Sequence, residues 1–188
     1  LKTNTGRTTP EQDAWLAELE LVASGLRALR SLVPDGAPLV PAATVDVYVW
    51  RPADSLESAI AYASGIERKD GPTMLCLSRQ NTAVIARDTS HEALIRRGGY
   101  ILAESKAPKL ILIATGSEVG LALGAQKALA AEGIESRVVS MPCTQLFDAQ
   151  SPEYKEAVLS PDLPKLAIEA GVTDGWWKYV HGGQTPGA

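Results

Sequence analysis

The sequence predicts an α/β fold on a parallel sheet, and two stretches carry that prediction. In the first, Leu110–Ala114 is a continuous apolar run of strand length, Thr115–Ser117 supplies turn chemistry, and an Ala/Leu-rich helical segment runs on to Gly133. Arg137–Met141 is then a second strand, which completes one βαβ unit. Strands apolar on both faces belong to parallel sheets covered by helices, and a right-handed crossover returns the second strand to the same sheet. In the other stretch, the alternating, branched run Val45–Trp50 is followed by a helical segment and then by the apolar run Thr73–Ser78.

The remaining elements follow in chain order. Thr9-Pro10-Glu11-Gln12 has the form of a helix start, and Trp15, Leu19, Val22, Leu26, Leu29 and Val33 recur at spacings of four and three as one apolar stripe. Pro34–Ala43 breaks that helix and reads as a linker. After Trp50, Arg51-Pro52-Ala53 turns the chain; Asp54 can cap the next helix with Glu57 three residues on, and Ala59, Ile60, Ala63 and Ile66 supply its buried face. Thr82–Ile95 is polar and reads as a surface connection with one helical turn at His91–Ile95. Tyr100–Glu104 is a short strand, and a domain boundary is expected near residue 97. Ser151-Pro152-Glu153 begins a short helix, Lys165–Glu169 is a strand, and Asp174–Val180 starts a last helix.

Composition narrows the functional classes. A chain of 188 residues holds one ordinary domain, or one domain and a piece of another. Eighteen basic and 22 acidic residues leave a formal charge of −4 with no basic run, which argues against generic affinity for nucleic acid or anionic membrane. Cys76 and Cys143 fit neither a disulfide framework nor a CxxC metal site and are expected to be buried free thiols. No apolar stretch reaches the ~20 residues of a membrane-spanning helix, and the reading is of a cytoplasmic protein.

Among candidate site residues Arg79 stands first. It follows the predicted strand Thr73–Ser78, at the carboxyl edge where ligands collect on open parallel sheets. A guanidinium there can grip a phosphate or carboxylate in two-pronged fashion, and a structural ion pair with a nearby carboxylate is the level alternative. Gly116 and Ser117 open a helix after a strand and are weak anion-site candidates. They lack the spacing of a dinucleotide fingerprint and the lysine of a P-loop, and Glu118 adds negative charge, so helix capping is the plainer reading. Glu169, at a strand end, could be a functional carboxylate or a capping or interdomain acceptor. His91 and His181 read as surface residues, and Trp176, Trp177 and Tyr179 as core or interface. No catalytic side chain and no metal-ligand grouping stands out.

Taken together, Trp50-Arg-Pro-Ala-Asp54, Gly71-Pro-Thr73, Leu77-Ser-Arg-Gln-Asn81, Gly98-Gly-Tyr100, Ile113-Ala-Thr-Gly-Ser-Glu-Val119, Arg137-Val-Val-Ser-Met-Pro142, Leu146-Phe-Asp148 and Glu169-Ala-Gly171 resemble the later part of a bacterial transketolase in order and spacing. The resemblance spans about residues 45–188. It implies a three-layer α/β sandwich in which residues 45–97 are part of the pyrimidine-binding domain and residues 98–188 are most of the C-terminal domain. Residues 1–44 stay unassigned.

Transketolases are transferases of the pentose phosphate pathway that use thiamine diphosphate and a divalent metal, magnesium, to move a two-carbon ketol unit between sugar phosphates. The resemblance gives Arg79 the role of gripping the substrate phosphate, and homodimer packing or regulation to the C-terminal domain. The family's metal-binding Gly-Asp-Gly segment, its cofactor-activating glutamate and the histidine expected shortly before Trp50 have no counterpart in the sequence, nor does the family's final strand and helix. The expectation is therefore a transketolase fragment or split chain, inactive without domains supplied by a second copy or a complementary transketolase chain, with no nucleic-acid or membrane partner. A non-catalytic dimerisation or regulatory module is the alternative.

Overall fold

A computed structural model of the chain describes residues 46–88 and 90–181. The striped helix, the Pro/Ala linker and Val45 lie outside the described residues, which belong to one compact unit. No helix among them is long and apolar enough to cross a membrane.

The larger sheet has four strands, β3 (Tyr100–Ala103), β4 (Leu110–Ala114), β5 (Ser136–Ser140) and β6 (Lys165–Ile168), in the order β3-β5-β4-β6. Strand β4 runs parallel to both neighbours, with Leu112 opposite Val138 and Leu166. Strand β3 runs antiparallel to β5, and its register shifts between Ile101 and Ala103. Alternation along β4 sends Ile111 and Ile113 to one face and Leu112 and Ala114 to the other, and all four are at most 1% exposed. Helix α3 (Glu118–Ala131) covers the second face through Val119 and Ala122. The first face lies under three short helices, α4 (Thr144–Asp148), α5 (Pro152–Val158) and α6 (Trp177–Val180), through Phe147, Val158 and Tyr179. Three layers result, because a sheet apolar on both faces needs a helical layer on each.

A two-stranded parallel sheet precedes it, made of β1 (Tyr48–Trp50) and β2 (Thr73–Leu75) joined through α1 (Ser55–Glu67), with Val49 opposite Met74. Helix α2 (His91–Ile95) then leads into β3. Trp50, Ile60, Ile95, Tyr100 and Cys143 form one buried cluster, so the small sheet shares a core with the start of the large one. Gly98 makes this junction possible: its φ is +82°, and a Cβ there would sit 2.2 Å from the Cys143 carbonyl oxygen.

The structure corrects several expectations. The strand predicted over Thr73–Ser78 stops at Leu75 and is half-buried, because among the described residues it pairs only with β1. Cys76 is therefore exposed, whereas Cys143 is buried as expected, and burial pushes its thiol pKa up. The buried face of α1 is Glu57, Ile60 and Ala61; Ala59 and Ile66 face outward, since the helix packs on a polar network at its start rather than along an apolar stripe. Helix α4 was not predicted, being too short for any periodicity. Trp176 and Tyr179 are core residues, and Trp177 is 55% exposed.

Candidate functional site

The carboxyl ends of β1, β2, β4 and β6 carry the residues of interest, and the chain leaves each end differently. Past β2 the Cys76 amide still donates to the Trp50 carbonyl at 2.8 Å, and the next residues, 77–81, are all exposed. Arg79 lies in this run. No carboxylate among the described residues is within ion-pair distance of it, so the structural alternative of an ion pair finds no partner there. A cavity of about 450 Å³ opens beside the loop, between Gln80, Asn81, Ile85 and the α3 residues Gly120, Gly124 and Lys127.

Gly116 and Ser117 sit at the carboxyl end of β4, beside the crevice that β4 and β5 form where their connections leave toward opposite faces of the sheet. Such a crevice is the usual ligand site of an open parallel sheet. Here the chain's own Arg51 backbone occupies it. The Arg51 carbonyl accepts from the Gly116 amide at 3.0 Å and from the Thr115 hydroxyl at 3.3 Å, and the Arg51 amide donates to the Pro142 carbonyl at 2.7 Å. Gly116 has φ +55°, a conformation that suits glycine and aims its amide at Arg51. The Ser117 hydroxyl donates to its neighbour Glu118 at 3.2 Å and makes no side-chain cap.

The Arg51 side chain is held as firmly. Its guanidinium makes a two-pronged ion pair with Glu169, the second hydrogen bond measuring 2.9 Å, while Glu118 lies 3.8 Å away. The Glu169 side chain is 2% exposed and also accepts from the Gly171 amide at 2.7 Å and the Trp176 indole at 3.0 Å. The hydrogen bonds from Arg51 hold its pKa down at about 2 against the opposing effect of burial. Glu169 is thus committed to joining β1 to β6.

A buried polar network lies where the start of α1 meets β3 and β5. Asp54 caps α1 by accepting from the Glu57 amide at 3.1 Å, but Glu57 does not return to the cap amide; it accepts from the Ala53 amide at 2.7 Å, the Tyr100 hydroxyl at 2.8 Å and the Ser140 hydroxyl at 2.7 Å. Arg87, from the stretch read as a surface connection, inserts a guanidinium 1% exposed, with Nη1 at 3.0 Å from both Asp54 oxygens. Burial raises the Glu57 pKa, and these donors together with Arg87 oppose the rise. Only the Asp54 cap and the Glu three residues after it are legible in sequence, as the pattern of a capping box.

Residues 98–187 match the family model described as the transketolase-like TK C-terminal domain. Transketolase 2 of Vibrio parahaemolyticus is 54% identical over 139 residues, covering 73% of this chain and 21% of that protein. Transketolase 1 of Escherichia coli is 51% identical over 139 residues with the same shares. The structure of transketolase from Leishmania mexicana superposes with a TM-score of 0.68 at 43% identity, over 72% of this chain and 20% of that one. The chain thus spans about a fifth of the length of the curated relatives it matches. Residues 98–187 thus carry a transketolase-like C-terminal domain, and the chain is similar to transketolases through this later part.

Proposed function

We propose that this chain is part of a transketolase, in which Arg79 grips the phosphate of a sugar phosphate while a two-carbon ketol unit passes from a ketose phosphate to an aldose phosphate. The carrying observation is the placement of Arg79: exposed, past the carboxyl end of β2, with no described carboxylate to neutralise it. A guanidinium so presented can donate two parallel hydrogen bonds to phosphate oxygens and hold the non-reacting end of the sugar. Thiamine diphosphate and magnesium enter by family resemblance. The described residues gather no group of three or more His, Cys, Asp or Glu able to hold a metal ion. Residues 98–188 serve packing, and in this reading a second copy or a complementary transketolase chain completes the site, in the cytoplasm and without nucleic acid or membrane. Supporting this, a two-stranded sheet is marginal by itself, and Tyr62, Ile66 and Met74 beside it are more than half exposed.

The test is a glycolaldehyde-transfer assay in the assembled enzyme. Arg79→Ala is expected to raise KM for a phosphorylated donor by roughly ten- to a hundredfold while KM for an unphosphorylated donor stays put. An unchanged KM for the phosphorylated donor would refute the role.

A further inference from the structure

The connection from β2 to α2 is long for a compact α/β domain, and connections of that length without regular structure are usually functional. It is attached at both ends. At the first, the Cys76 amide bonds to Trp50. At the second, the Ile85 amide donates to Asp54 Oδ2 at 3.2 Å, and Arg87 is buried against Asp54, with its Nη2 3.4 Å from Glu57. Residues 77–84 form the arch between, and Arg79 is its third residue.

The second attachment is reciprocal. Asp54 and Glu57 are 4% and 0% exposed, and Arg87 is the cation beside them. If the loop lifted away, two carboxylates would remain buried without a counter-charge, which is strongly unfavourable. The same carboxylates hold the α1 cap, Tyr100 at the start of β3 and Ser140 at the end of β5, so the arch is referenced to rigid parts of both sheets. We propose that Arg87 is a positioning residue: its buried pairing with Asp54 and Glu57 closes residues 77–84 into a fixed arch and sets where the Arg79 guanidinium is presented. This rests on the reading of Arg79 as the phosphate-gripping residue. Holding that guanidinium in advance removes an ordering cost from substrate binding.

Trypsin supplies a direct readout, because Arg79 is itself a cleavage site. The full chain is digested under native conditions as wild type, Arg87→Ala, Arg87→Lys and Asp54→Asn; asparagine caps a helix as well as aspartate, so the last variant removes the charge and keeps the cap. Cleavage after Arg79 is expected to accelerate about tenfold or more in Arg87→Ala and Asp54→Asn and less in Arg87→Lys, while cleavage after Lys127 in α3 keeps its wild-type rate. Equal rates at Arg79 in all four proteins, or a parallel rise at both sites, would overturn the proposal. Should Arg87→Ala fail to fold, Asp54→Asn and Arg87→Lys decide. In the assembled enzyme Arg87→Lys should raise KM for the phosphorylated donor severalfold with kcat nearly unchanged; an unchanged KM there, alongside a raised KM in Arg79→Ala, also overturns it. A normal KM in Arg79→Ala would instead defeat the phosphate reading, and the digestion pattern alone would then judge whether Arg87 fixes the arch.

Discussion

Arg51 follows the last residue of β1 directly, and Arg79 lies four residues past the end of the neighbouring strand β2. Both are arginines at the carboxyl edge of a parallel pair, where the residue type suits anion recognition equally. Arg51 is spent inside the fold: Glu169 takes its guanidinium, and Thr115, Gly116 and Pro142 take its backbone. Arg79 is carried out on an arch and stays exposed. The difference lies in the surroundings, since a carboxylate from a distant strand reaches the first arginine and no described carboxylate reaches the second. A strand-end arginine is therefore not a ligand site by position alone.

The largest expected effect concerns the anchor of the exposed arm. Arg87→Met leaves Asp54 and Glu57 unpaired in the interior and should lower stability by about 3–5 kcal/mol, read as a reduced urea midpoint. A loss under ~1 kcal/mol would mean that the carboxylates are neutral or hydrated and that the arch is not held by charge. Next, Glu169→Ala strands Arg51 and the Trp176 indole. Because the Arg51 side chain is 37% exposed and solvent can partly replace its partner, about 2 kcal/mol is expected rather than the full cost of a buried pair.

Acid gives a finer separation. Glu169 has its pKa lowered from 4.5 to about 2, so its contribution is complete above pH 4.5 and lost as pH falls toward 2. Glu169→Gln should remove that part of the acid dependence of stability, followed by circular dichroism between those limits; an unaltered profile would show that the Arg51 pair is not felt in solution. The smallest effect is on the other arm: Arg79→Ala should leave the urea midpoint at its wild-type value, because an exposed side chain without a described partner contributes little to folding. A clear loss would move Arg79 into the same class as Arg51.

Much of the fold was legible because burial writes itself into short patterns. The run Leu110–Ala114 is apolar on both faces, and β4 is indeed buried between two helical layers; Ser151-Pro152 caps α5 as its residue types require, the serine accepting from the Tyr154 amide. Legibility failed where a side chain's meaning depended on a distant partner. Arg87 reads as one more polar residue of a surface stretch, and its carboxylates lie 33 and 30 positions earlier. Arg51 reads as part of a turn, and its partner is 118 positions away. Cys76 and the outward face of α1 differ from expectation because an apolar residue just past a strand end, or on a helix, carries no mark of which side will be covered.

By itself the sequence determined the α/β class, the parallel unit from β4 to β5, the family motifs and Arg79 as a candidate. Hydrophobic periodicity and cap chemistry are local, and local patterns survive in one dimension. Only the tertiary structure decided that Gly116 receives a backbone carbonyl, that Glu169 is an interstrand acceptor, and that a buried arginine holds the loop bearing Arg79. The worth of a charge depends on its desolvation and on the nearest opposite charge, and both are set by which distant segments the fold brings together.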